Sequence, residues 1–253
     1  MKNTPIKSKS GLLAFSTKSY PTFGRQKKEF EDTNPPKSVL ESPYYWWYMF
    51  AKLNEDYKRT CKANGRGKHA KLYKDFGNIH ATNFKAWWQQ HVELFAEPKP
   101  TYRMQIANSL SELAPFNSEE VINLVVPLNR SQRSLKKAFS YLVLKKVERG
   151  QRGVSVEASN AKYKLSGKWH IEALKVAYKI YTIKQQSLQS GKKKTWADIA
   201  IDAKLPMSFS LTKESEKINS DVKRTLTILA KRHYDRAQIF IVSAVSSSFP
   251  YKT

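Results

Sequence analysis

Residues 42–53 read SPYYWWYMFAKL, with five consecutive aromatics, Tyr44 to Tyr48, in a chain otherwise dense with lysine. Such a run is either a platform for nucleic-acid bases or the inside of a fold, and helical spacing decides between them. Ser42 as N-cap and Pro43 at the first helical position start a helix. On that helix Trp46, Phe50, Leu53 and Tyr57 fall at i, i+4, i+7 and i+11. A second helix, opened by Asn83 over FKAWWQQHVELF, repeats the stripe with Phe84, Trp88, His91 and Phe95. Trp47 and Trp87 lie just off the stripes and broaden them. Neighbouring helices with matching apolar stripes pack on each other, whereas stacking platforms offer single rings spaced along a basic groove. The aromatics are therefore assigned to a core, leaving Tyr44 or Tyr45 as those that could reach a surface.

Working outward, residues 1–41 are polar and carry Pro5, Pro21, Pro35 and Pro36 among lysines, which predicts a basic flexible tail. The first helix is expected to run to about Cys61 and stop before ANGRGKHA, whose glycines suit a turn. Residues 42–97 then form an aromatic-cored helical domain. Residues 98–120, proline-bounded and nearly neutral, read as a linker to a basic domain over 121–253. There VINLVVPL (121–128) has the β-branched content of a strand. NRSQRSLKKAFSYLVLKKV follows as a helix with Leu135, Phe139 and Leu142 on one side. The glycine-punctuated stretch 148–167 is a loop or loose hairpin. WHIEALKVAYKIYTIKQQ, TWADIAIDAKL and DVKRTLTILAKRHYDRAQIFI give three more helices, the last opening near Asn219 or Ser220. Its inward stripe is Val222, Leu226, Leu229, His233, Ala237 and Phe240. The fold class is mainly α, an aromatic-cored N-terminal unit plus a C-terminal helical unit with a small β element.

The charge is the strongest compositional fact: 45 Lys and Arg against 21 Asp and Glu, a surplus of 24 with a pI near 9.9. That is the footprint of a nucleic-acid binder. A membrane-surface binder usually concentrates its charge in one basic amphipathic segment, but here the excess is spread, with 15 of the 24 in residues 117–253. The longest apolar runs, INLVVPL and IFIVSAV, fall short of a membrane span, and GLLAF is too short for a signal sequence. One cysteine, Cys61, excludes an internal disulfide and suits a reducing, intracellular setting. The expected partner is nucleic acid, duplex DNA favoured, with protein partners a further option through the aromatic unit and no membrane.

The last three helices resemble a helix-turn-helix module of the DNA-binding kind. The third carries Lys223, Arg224, Lys231, Arg232 and Arg236 beside its apolar stripe, and Arg224 and Thr225 stand where base contacts fall. The connection 206–218 is longer than the usual three- or four-residue turn, so a plain three-helix bundle with a solvated basic face is the competing reading. Arg130, Arg133, Lys136 and Lys137 cluster at a helix start suited to phosphate. Lys192, Lys193 and Lys194 form a flexible basic loop that meets phosphate as point charges.

Catalytic signals are sparse. His233 and Arg236 spell H-x-x-R with Tyr251 near the end, which faintly resembles part of the tyrosine recombinase set, but the earlier arginine box is not identifiable. Cys61, His69, His80 and His91 match no zinc spacing. GRGK (65–68) lacks the context of a P-loop, and no nucleophile motif appears. The expectation is a non-catalytic double-stranded DNA-binding protein without cofactor or metal: a regulator, a replication or recombination accessory, or an architectural factor, of a phage or mobile element. The alternatives are an RNA- or single-strand-binding subunit of a larger complex, and a nuclease or recombinase whose site goes unrecognised.

Overall fold

The computed structural model describes residues 7–8, 11–13, 15–23, 30–97, 106–113, 121–143, 159–166, 169–206 and 216–250. The helices are α1 Lys37–Leu40, α2 Pro43–Lys52, α3 Glu55–Lys62, α4 Ala70–Phe76, α5 Phe84–His91, α6 Gln132–Leu142, α7 Ile171–Gln189, α8 Trp196–Asp202 and α9 Glu216–Ser243. Two short strand pairs accompany them. β1 (Lys7–Ser8) pairs antiparallel with β2 (Gly11–Leu12), and β3 (Lys164–Leu165) pairs parallel with β4 (Ser248–Phe249). The protein is mainly α with a small β element, as the periodicities require.

Caps explain where the helices begin. Pro43 does occupy the first position of α2, behind Ser42. The helix expected to continue to Cys61 is two helices, because Asn54 accepts the Tyr57 N–H (2.9 Å) and starts α3. Asn83 accepts from the Ala86 N–H (2.9 Å) to start α5, which tightens into a 3-10 turn over Val92–Phe95. Thr195 and Asp198 form a reciprocal capping box at α8.

The chain divides into two units, one of residues 1–97 with 156–253, the other of 98–155. In the first, Tyr44 to Tyr48 are all buried, Tyr44 and Tyr45 included, so neither reaches a surface. Their polar tips are satisfied inside: Trp47 Nε1 donates to Ala244 O (2.9 Å), Tyr48 Oη to Thr82 O (2.6 Å) and Tyr45 Oη to Asp32 O (2.8 Å). The expected boundary between 42–97 and the C-terminal helices does not separate their cores. Trp47 stacks on Phe249 (5.4 Å), Phe50 meets Tyr178 (5.6 Å) and Phe240 (5.3 Å), and Leu174, Ala177, Ala237 and Ile241 join the same cluster. The stripe on α2 is broader than α5 alone can cover, and α7 and α9 cover the remainder.

Part of the expected tail is also core. Phe15 stacks on Trp88 (6.1 Å), Phe23 meets Phe30 (5.5 Å), and the Asp32 carboxylate accepts the Phe84 N–H (2.8 Å) while pairing with Lys52 (3.2 Å). Isolated rings fill gaps that no helical stripe announces. A second cluster, Ile180, Ile199, Ala200, Leu205, Val222, Leu226 and Ala230, holds α7, α8 and α9 together.

In the second unit, Ser131 caps α6 by accepting the Ser134 N–H (3.3 Å). None of its described residues is buried. Residues 121–128 form no strand, and Val125 (99%) and Leu128 (91%) are almost fully exposed. The β-branched run signalled apolar character but is not assigned to a strand, and parallel pairing lies at 164–165 and 248–249 instead.

Candidate nucleic-acid interface

Packing orients α9. Val222, Leu226, Ala230, Ala237 and Ile241 are buried, so Lys223, Arg224, Lys231, Arg232 and Arg236 stand on the outer side, all exposed. None of the five is ion-paired among the described residues. The 28 residues of α9 make it about 42 Å long, much longer than the stretch a groove admits. Thr225 follows Arg224 on α9. It is half-buried, and its hydroxyl donates to Asp221 O (3.0 Å), so its proton is held by its own helix.

The lysine loop is anchored rather than flexible. Buried Ser187 donates to Lys192 O (2.6 Å) and accepts the Lys194 N–H (2.9 Å), while Gly191 (φ +71°) makes the turn. Lys192 and Lys193 remain exposed, but Lys194 Nζ is paired with Asp202 (2.7 Å). Trp196 rests against Tyr234 of α9 (5.2 Å), which ties this loop to the Lys231–Arg236 stretch and not to Arg224. Arg130, Arg133, Lys136 and Lys137 are exposed on the second unit, so the expected contact residues are divided between the two units.

Other lysines of the first unit are spent internally. Lys175 pairs with Glu172 (3.6 Å), Lys179 donates to Ala203 O (3.0 Å) and Lys184 lies over the Trp196 ring (4.7 Å). His233 is half-buried, and burial, then the Arg236 charge, hold its pKa below the ordinary value. Tyr251 lies outside the described residues. Among the described residues no group of three or more His, Cys, Asp or Glu could hold a metal, and no helix is long and apolar enough to cross a membrane.

The rings of Tyr44 to Tyr48, Trp87 and Trp88 are buried, while Phe15, Tyr20, Phe23 and Tyr73 are half-buried. Exposed apolar side chains lie elsewhere, on 121–142 and at Ile239 and Val242 of α9. Sequence reasoning weighed the α3–α4 turn only as a P-loop and not as a basic surface, yet Lys62, Arg66, Lys68, Lys71 and Lys74 are all exposed there. Comparison with family models, curated proteins and solved structures finds no match to this chain.

Proposed function

We propose that the protein binds nucleic acid, duplex DNA favoured, through the outer face of α9 and the 191–194 loop, without catalysing a reaction. The carrying observation is that Lys223, Arg224, Lys231, Arg232 and Arg236, none in an ion pair among the described residues, lie exposed on a helix whose other side is fixed in a core. Such a face gains affinity by releasing counterions from phosphates. Arg224 has the planar fork needed to read a guanine edge, and Lys192 and Lys193 contribute sequence-independent charge. A chain of this kind serves as a regulator, an accessory of replication or recombination, or an architectural factor.

The test is fluorescence anisotropy with duplex DNA, single-stranded DNA and duplex RNA of equal length over a salt series. Duplex-DNA preference that survives near-physiological salt supports the reading, and equal binding that vanishes with salt removes it. Arg224→Ala is expected to cost about 1–3 kcal/mol and relax sequence preference, whereas Lys193→Ala weakens all sequences alike and lowers the salt slope by about one. If the two variants behave alike, α9 does not read bases.

A second reading, an RNA- or single-strand-binding subunit of a larger complex, draws on the exposed Val125, Leu128 and Leu142, which suit a protein contact. It requires single strands to outcompete duplex in the same panel.

A further inference from the structure

The α3–α4 turn combines charge with unusual backbone. Asn64 (φ +51°), Gly65 (φ +88°) and Gly67 (φ +134°) all have positive φ within four residues. The turn is locked from inside: Gly65 N–H donates to Thr60 O (2.9 Å), Arg66 N–H to Ala63 O (3.2 Å) and His69 N–H to Thr60 Oγ1 (3.4 Å). Gly65 lies flush against the Tyr73 ring, where a Cβ would come within 2.6 Å, and a Cβ at Gly67 would meet Thr60 Oγ1 at 3.0 Å. The N–H groups of Gly67 and Lys68 have no hydrogen-bond partner among the described residues, and both residues are exposed.

Around these two donors the balance is positive, with seven cations against two acids over residues 56–75. Both acids are engaged. Asp56 holds Arg59 (2.6 Å) and Lys68 (2.8 Å), and Asp75 holds Lys162 (2.6 Å) and the Tyr163 hydroxyl (2.7 Å). Lys62, Arg66, Lys71 and Lys74 are exposed and form no ion pair among the described residues. Adjacent free N–H groups in a fixed turn, beside an unpaired guanidinium, are the elements of an anion-binding concavity.

We propose that residues 64–68, with Arg66 and Lys62, form a second phosphate-binding site that grips the backbone of a nucleic acid. The site is separate from the Arg224 end of α9. Asn54, at the start of α3, donates to Ile241 O (3.3 Å), and Arg224 lies seventeen residues back along α9, about 25 Å away. The eight residues of α3 span about 12 Å, so even running back along α9 they end well short of Arg224. A nucleic acid held at both places is gripped at two points of one compact unit.

The ligand class rests on the nucleic-acid reading, whereas the anion site stands on the turn itself, so two probes separate them. Full-length protein is titrated with inorganic phosphate and, separately, with short duplex DNA under amide-resolved NMR, and duplex affinity is measured against salt. The site requires saturable shifts of the Gly67 and Lys68 amides. The double variant K62A/R66A, which alters only exposed side chains, must melt like the parent, lose those shifts and lower the salt slope by about two. Shifts with duplex alone assign the site to phosphodiester; shifts with both probes assign it to phosphate generally. Absent shifts with an unchanged salt slope overturn the proposal, while intact duplex binding in that sample leaves the α9 reading standing. Shifts with phosphate in a protein that ignores duplex keep the anion site and remove the nucleic-acid reading.

Discussion

Replacing Trp47 by phenylalanine probes whether the two ends of the chain form one cooperative body. The indole is fully buried and donates to Ala244 O (2.9 Å), 197 residues away in sequence. Leaving that buried carbonyl without its donor costs about 1–3 kcal/mol. The smaller ring also gives up roughly three methylene-sized groups of packing against Phe95, Tyr163 and Phe249, at about 0.8 kcal/mol each. The expected loss is therefore about 3–5 kcal/mol, large against the 5–15 kcal/mol of an ordinary domain. Urea unfolding gives the total, and native-state hydrogen exchange locates it. If α2 and α9 share a core, the protection of Ala237 and Ile241 falls with that of Trp87 and Trp88, each by about two to four orders of magnitude. Unchanged protection in α9 beside weakened α5 would refute the shared core and restore two independent domains.

Three further outcomes follow from particular contacts. Gly65→Ala forces a side chain into positive φ and onto the Tyr73 ring, and is expected to lower stability by about 1–3 kcal/mol in urea or thermal unfolding. Asp75 is pushed upward by burial, but hydrogen bonds from Lys162 and Tyr163 outweigh that and bring it below its ordinary 3.8. Its contribution is therefore present above that value and lost as pH falls through the lowered one, so the stability gap between parent and Asp75→Asn stays level near neutral pH and narrows below about pH 4. Asp202→Asn releases Lys194 and is expected to tighten duplex binding and steepen its salt slope by up to about one, read by anisotropy.

Much of the helical framework is written locally. Pro43 after Ser42, Asn83 before Phe84 and Thr195 three residues before Asp198 each mark a helix start within a few residues. What escapes such signals is tertiary. Phe15, Phe23 and Phe30 sit singly among lysines with no period to betray them, yet their rings close the core. The boundary at 97 followed a real change in composition, but composition says nothing about which apolar faces meet across a hundred residues. Strands of two residues are too short to show alternation, so the run 121–128 drew the β assignment instead. The basic residues of α9 were legible because their helix was. Thr225 and Lys194 each engage a neighbour four or eight positions away, Asp221 and Asp202, that a list of cations does not weigh.

The hydrogen bond from Trp47 to Ala244 also sets a schedule for biosynthesis. A ribosome delivers α2 first and its covering helix last, at about 5–20 residues per second. For roughly 10–40 s the emerging chain carries Trp46, Trp47 and Phe50 with no lid of their own. Completion of this core must therefore wait until α9 and Phe249 have left the exit tunnel. Until then the nascent segment exposes apolar surface that favours aggregation, and truncation near residue 240 is expected to yield insoluble product instead of a shorter folded protein.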